Sequence, residues 1–481
     1  MVEKYFPFVG PSYEERVINF DAQRSVNLYP IKSMTGDSKT PFMLGSTPGL
    51  KVFCDLVSGP IKGCYTVKGR SFFVTGKYLF EVFVDGTFTN LGSVVFSNSL
   101  VSITDNGLQI CIVGGDNGYV FTLATNELVQ ITSDGWNGAD TVTFLDGYGI
   151  FNWPGTSKYY ISALYDFTTF DPTMVSSVAS STNDVVAVVA LHQNVWVLGT
   201  QTVEIEYDSG NVNFPFQRIQ GAFIEYGCIA PYSVVRAANT LFWLGQDQTG
   251  QGSVWMAQGY EPQKISTDAI EFYIQQFVHN LDGASGWSYQ EEGHFFYVLN
   301  IPGASSTLVY DVTLGQWHER AYFNALTGKY ERQRQNCQTF NFNQQLIGDY
   351  NSGKIYVQSL NYYDDAGDLI RRMRVAPHIT SNLDYVFYNS FQVDMETGVG
   401  VDGIDGSQNT DPQLMMRYSN DGGYTWSNEI WMSMGKIGQY KWRARTTRIG
   451  RARDRVFEVS CMSNVPVNLL GAVIDAEPGI S

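Results

Sequence analysis

Five histidines, His192, His279, His294, His318 and His378, are the side chains here best suited to hold a metal or move a proton. No two of them are spaced as HExxH or HxH, so a histidine-built metal site is not expected. The six cysteines (Cys54, Cys64, Cys111, Cys228, Cys337 and Cys461) form no CxxC pair, which argues against zinc. Several lie inside apolar runs and read as buried free thiols of a chain folded in a reducing compartment. Neither a GxSxG elbow nor a GxxxxGK[ST] loop occurs. The glycine-rich stretch Gly245 to Gly252 follows one apolar strand and precedes another, so it reads as a hairpin loop. No cofactor, metal or catalytic residue is expected.

Two constellations remain. Ser419-Asn420-Asp421-Gly422-Gly423-Tyr424-Thr425-Trp426 fits the Asp-box pattern S-x-D-x-G-x-x-W. In such a turn Ser419, Asp421 and Gly423 would fix the backbone and Trp426 would pack beneath, a structural role. A glycosidase would also need two placed carboxylates. The candidates Glu291 with Glu292, and Asp364 with Asp365, are adjacent in sequence and would point to opposite faces of a strand. The second constellation is cationic: Lys436, Lys441, Arg443, Arg445, Arg448, Arg451, Arg453 and Arg455, offset within that window by Asp454 alone. Alternation places Lys441, Arg443 and Arg445 on one strand face. A solvated face, pairing within an acidic chain, a subunit or partner interface and a DNA contact are all open readings. Trp426, Trp431 and Trp442 read as core.

The elements that must carry these residues are β-strands. Glycine (47), tyrosine (29) and phenylalanine (30) abound, which favours short strands and tight turns. A β pattern returns about every 38–53 residues. It is seen at Arg70 to Val74, Gln109 to Val113, Gly149 to Phe151, Val195 to Leu198, Leu241 to Leu244, His294 to Val298 and Gln345 to Ile347. That period predicts a β-propeller of six or seven blades. One helix is expected, from Thr267 to Asn280, with Ser266 as its cap.

Three stretches follow. Residues 1–57 form an extended N-terminal segment, with Ser25 to Pro30 an edge strand ended by proline. Residues 58–358 form the propeller, whose short last blade Leu50 to Phe53 could complete. Residues 359–481 change texture: longer strands at 371–379, 387–395, 413–419, 442–450 and 456–462, and an exposed loop from Gly398 to Asp411. They predict a β-sandwich platform packed with the N-terminal segment, in an all-β chain.

The formal net charge is −16 and the pI near 4.7. A chain this acidic does not grip nucleic acid, although it suits a surface that DNA must pass without sticking. The opening Met1-Val2-Glu3-Lys4-Tyr5 lacks a signal-peptide core, and no apolar run is long enough to span a membrane.

An ordered series of short motifs resembles one family. It includes Gly10-Pro11-Ser12-Tyr13, Asp21-Ala22-Gln23-Arg24 with Asn27-Leu28-Tyr29-Pro30, and Gly45-Ser46-Thr47-Pro48-Gly49-Leu50. Later come Phe242-Trp243-Leu244-Gly245, Ile265-Ser266-Thr267-Asp268-Ala269-Ile270-Glu271 and Gly315-Gln316-Trp317-His318-Glu319-Arg320. Gly348-Asp349 with Ser352-Gly353-Lys354-Ile355-Tyr356, Met395-Glu396-Thr397-Gly398 and Arg448-Ile449-Gly450-Arg451-Ala452-Arg453-Asp454-Arg455 complete it. Together they resemble the packaged-DNA stabilisation proteins of short-tailed phages, the tail hub or nozzle proteins. The resemblance implies a structural virion protein of the tail, assembled in the bacterial host cytoplasm. It implies a homohexamer ring below the portal-adaptor ring, holding a tail needle, tailspikes or fibres. Genomic DNA would pass through its channel. A carbohydrate-binding or hydrolysing propeller is the rival expectation.

Overall fold

A computed structural model describes residues 3–6, 8–14, 16–35, 38–178, 183–246, 252–382, 384–400 and 409–479. The chain divides into two compact units: 1–51 with 305–333 and 358–481, and 52–304 with 334–357.

The second unit is a propeller of six blades. Five are antiparallel sheets built from consecutive chain, at 63–93, 102–130, 142–177, 185–224 and 227–264. The sixth has the order Gln335–Asn341, Gln344–Asp349, Lys354–Ser359, and then, from the other end of the sequence, Gly49–Asp55. The early strand thus lies beside the third strand of the last blade. The hairpin of Ser285–Glu291 and His294–Asn300 takes a further inner position between the fifth and sixth sheets. The seven inner strands surround an axial cavity of about 380 Å³.

Each repeat read from the sequence is the second strand of its hairpin. These strands are covered on both faces, which is why they are apolar throughout: Phe72, Phe73 and Val74 are all fully buried. The turn before them recurs too. Lys68-Gly69, Asp146-Gly147, His192-Gln193, Ala238-Asn239, Glu292-Gly293 and Phe342-Asn343 all have positive φ at both positions. That is the type I′ geometry whose twist matches paired strands. His192 is therefore a turn residue. The strands flanking Gly245 to Gly252, Thr240–Gln246 and Gly252–Gln258, pair as a hairpin, while residues 247–251 lie outside the described residues.

The helix is shorter than expected, Asp268–Gln275, followed by a 3-10 turn at Val278–Gly283. Its cap is Thr267, whose hydroxyl accepts from Ile270 N at 3.4 Å. Ser266 instead accepts from Val254 N (3.1 Å) and donates to Glu271 (2.7 Å). The N-cap position falls on Thr267, one residue past Ser266.

The first unit is a β-sandwich. One sheet runs Leu28–Lys32, Phe42–Ser46, Leu469–Pro478, Val386–Met395, Ala444–Thr447. The other contains Ala22–Val26, Arg372–Val375, Asp454–Cys461, Gln413–Ser419 and Ile430–Ser433. Between them lies a core that includes Phe8, Leu44, Phe391, Met416, Phe457 and Ile474. Alternation along each strand supplies one apolar face to that core. The edge strand does not end at Pro30: Pro30 sits within Leu28–Lys32 opposite Leu44. An edge tolerates a residue that cannot donate. Residues 401–408 of the loop expected from Gly398 to Asp411 lie outside the described residues.

A cationic rim and an anchored turn on the sandwich

The cationic run divides in two. Lys441, Arg443, Arg445, Arg448, Arg451 and Arg453 are exposed, whereas Arg455 is 1% exposed. The strand expected over 442–450 is confined to Ala444–Thr447. Lys441 and Arg443 therefore precede it, and only Arg445 projects from the strand itself. Arg445 donates to Ser390 Oγ at 2.9 Å from the neighbouring strand. Arg448 stands at a turn with φ 62°, and Arg451 and Arg453 both lie over the Tyr385 ring, at 4.5 and 4.6 Å. Among the described residues, Lys441, Arg443, Arg448, Arg451 and Arg453 make no ion pair. These five cations form an exposed strip on a chain of net charge −16.

Arg455 does not belong to that rim. Its guanidinium lies between the rings of Tyr388 and Tyr418, 4.3 Å from each centroid. It donates to Ile449 O at 2.7 Å and to Asn420 Oδ1 at 2.9 Å. Arg453 is a bend between the short strand Arg451–Ala452 and the strand Asp454–Cys461, so strand alternation does not carry across it and the run passes from surface to core.

Asn420 belongs to the Asp-box turn. Ser419 Oγ donates to Asp421 Oδ1 at 2.6 Å and accepts from Gly423 N at 2.8 Å. Asp421 also accepts from Thr425 N at 2.9 Å and from the Thr425 hydroxyl at 2.5 Å. The bonds from Ser419 and Thr425 hold the Asp421 carboxyl low, at about 2. Gly422 has φ 76°, and a Cβ there would meet Asn19 Oδ1 at 1.9 Å. Trp426 packs half-buried beside a cluster that includes Ala22, Met373 and Val456, with the Arg417 guanidinium 4.8 Å over its ring. Ser419, Asp421 and Thr425 thus bond to one another within the turn, and Asn420 Oδ1 accepts from Arg455 beneath it.

Trp431 and Trp442 are not core. They are 56% and 46% exposed. In Ile430–Ser433 it is Met432 that faces inward, which turns Trp431 out. The Trp442 indole is held by Ser433 O at 2.8 Å.

The sequence reading missed the buried cations. Arg372 and Arg374 alternate on Arg372–Val375 and are both buried. Arg374 donates to Phe8 O, Pro11 O, Ser25 Oγ and Gln23 Oε1. The signal was there in Arg371-Arg372-Met373-Arg374, which is too basic for an ordinary core strand. Among the described residues no three His, Cys, Asp or Glu side chains could hold a metal ion. Among the described residues, no helix is long and apolar enough to cross a membrane.

The two units are thus a propeller and a β-sandwich that bears an exposed cationic strip. The chain belongs to the Bacteriophage P22 Gp10 family, matching its β-propeller across residues 6–362 and its β-sandwich across 371–477. This is the family of packaged-DNA stabilisation proteins of the phage tail hub, structural tail proteins and not enzymes. Membership makes the chain a virion component that assembles with other virion proteins. No curated protein sequence matches it. Among solved structures it is similar to the designed Ika8 protein (9% identity, 64% of this chain and 99% of that one, TM-score 0.37). It is also similar to the N-terminal domain of Nup159 (10%, 68% and 98%, 0.40). A third is BamB from Moraxella catarrhalis (10%, 70% and 97%, 0.39). At such scores nothing about function follows from them.

Proposed function

We propose that this chain is the subunit of a six-membered ring below the portal-adaptor ring of a short phage tail. The ring extends the DNA channel, helps retain the packaged genome and holds a needle, spikes or fibres. It is assembled in the host cytoplasm. The observation that carries this reading beyond family membership is the exposed cationic strip from Lys441 to Arg453 on the sandwich, of which Lys441, Arg443, Arg448, Arg451 and Arg453 make no ion pair among the described residues. Repeated copies of an acidic chain repel one another unless a basic patch on each meets an acidic patch on its neighbour or on the adaptor. We assign the strip to that contact. The excess negative charge elsewhere then leaves DNA free to slide past.

The test is electron microscopy of the purified chain mixed with DNA-filled capsids that lack their tail hub. A six-fold ring below the portal, with DNA retained, is the expected result. A well-folded chain that leaves the capsids bare would overturn the ring assignment.

A further inference from the structure

The two ends of the propeller ring meet at one pair of inner strands. Gly63–Val67 opens the first sheet and Gln335–Asn341 opens the last. The two strands belong to different sheets, so no backbone ladder joins them. Side chains stitch the seam instead. Asn336 Nδ2 donates to Ile61 O at 2.8 Å, Thr339 Oγ1 bonds Thr66 Oγ1 at 2.8 Å, and Asn341 Nδ2 donates to Ser71 Oγ at 2.7 Å.

Between these stitches stand Cys64 and Cys337. Both line the axial cavity, on the two inner strands that pack side by side at the seam. Cys337 has its back against bare backbone. A Cβ on Gly348 would lie 2.8 Å from the Cys337 sulfur and 2.5 Å from Ile61 Cγ2, so the sulfur is held close behind. The other four cysteines have no such partner among the described residues, and all six are free thiols.

We propose that Cys64 and Cys337 form an oxidisable pair, which a peroxide entering the axial cavity converts to a disulfide bolting the first blade to the last. One thiolate attacks the peroxide O–O bond, giving a sulfenic acid and one water. The second thiolate attacks that sulfenic sulfur. The S–S bond forms, the S–O bond breaks, and hydroxide takes up the remaining proton as a second water. Two electrons pass from the two thiols to one peroxide. Burial pushes the Cys64 thiol well up, so the pair stays reduced and slow at neutral pH. A virion component ends up outside the cell, where disulfides persist.

The test uses the full chain and hydrogen peroxide. Expected are the loss of two free thiols, a Cys64–Cys337 linked peptide in the non-reduced digest, and a Tm raised by a few degrees and reversed by reductant. Cross-linking a seam so far apart in sequence restrains the unfolded chain strongly. The rate should rise about tenfold per pH unit below the thiol pKa, because the thiolate is the attacker. Cys64→Ser should fold and give neither the linked peptide nor the Tm shift. A native thiol count that stays constant would overturn the proposal. So would oxidation that stops at sulfenic acid or links other cysteines.

Discussion

Arg374 Nε donates to the carbonyl oxygen of Phe8 at 2.8 Å, joining residues 366 apart in sequence. The same guanidinium reaches Pro11 O at 2.9 Å, Ser25 Oγ at 3.0 Å and Gln23 Oε1 at 2.6 Å. One buried cation thus gathers the N-terminal segment onto the sandwich. Burial pushes its pKa down, to about 9, against a weak pull from Asp21, so it is still charged at neutral pH.

Arg374→Met should therefore cost far more than the loss of one contact. It strands the buried Phe8 carbonyl and Ser25 hydroxyl and takes the donor from Pro11 O and Gln23 Oε1 at partly buried sites. The expected loss is about 3–5 kcal/mol in urea unfolding. Trypsin should also cut first near Arg16. A variant as stable and as resistant as the parent would show that the segment is held by other means.

Arg443→Glu with Arg445→Glu should lower stability by no more than about 1–1.5 kcal/mol, the loss coming from the Arg445–Ser390 bond, because Arg443 itself is exposed and makes no ion pair among the described residues. Ring assembly on capsids should fail. Arg455→Met should do the reverse, unfolding at lower urea because Asn420 Oδ1 and Ile449 O lose their donor. Normal tail incorporation of the double variant would remove the cationic strip from the interface.

The Asp-box turn should loosen in acid. Hydroxyl bonds from Ser419 and Thr425 hold Asp421 down at about 2. A depressed carboxyl contributes stability above its ordinary pKa and loses it as pH falls towards the folded value, here between about pH 4 and 2. Near-UV circular dichroism over that range should show a change that Asp421→Asn lacks. Superimposable curves would mean the turn is held without the charge.

Glu206 should act in the opposite sense. Burial pushes its carboxyl up, the bond from Tyr159 OH works against this, and the Glu204 charge adds to the rise. A raised carboxyl gives stability that is full below its ordinary pKa and is lost as pH rises through the folded value. The slope approaches, at most, about 1.4 kcal/mol per pH unit. Glu206→Gln keeps a partner for Tyr159 and should flatten the curve above the ordinary carboxylate range. An unchanged slope would assign the pH response to other groups.

The propeller was legible because each interior strand is covered on both faces and so reads as an unbroken apolar run. Type I′ turns such as His192-Gln193 and Phe342-Asn343 were less visible, since these residue types do not advertise positive φ. On the sandwich the motifs were legible and the environments were not. The Lys441 to Arg455 run looked uniform, yet its last member lies between two tyrosine rings. Trp431 and Trp442 looked apolar and face outward, because which side of a strand is buried depends on the partner sheet rather than on local spacing. Arg374 was hidden for the same reason: its acceptors come from residues 8–25, far away in sequence.

The strand Gly49–Asp55 takes its place beside Lys354–Ser359. During synthesis it leaves the ribosome some 300 residues before its neighbour does, at about 5–20 residues per second. For many seconds it is an unpaired β-edge beside five sheets that can already form. The order of translation therefore makes circularisation the last and slowest event, and this single heptapeptide the segment that most needs shielding from premature pairing with another nascent copy.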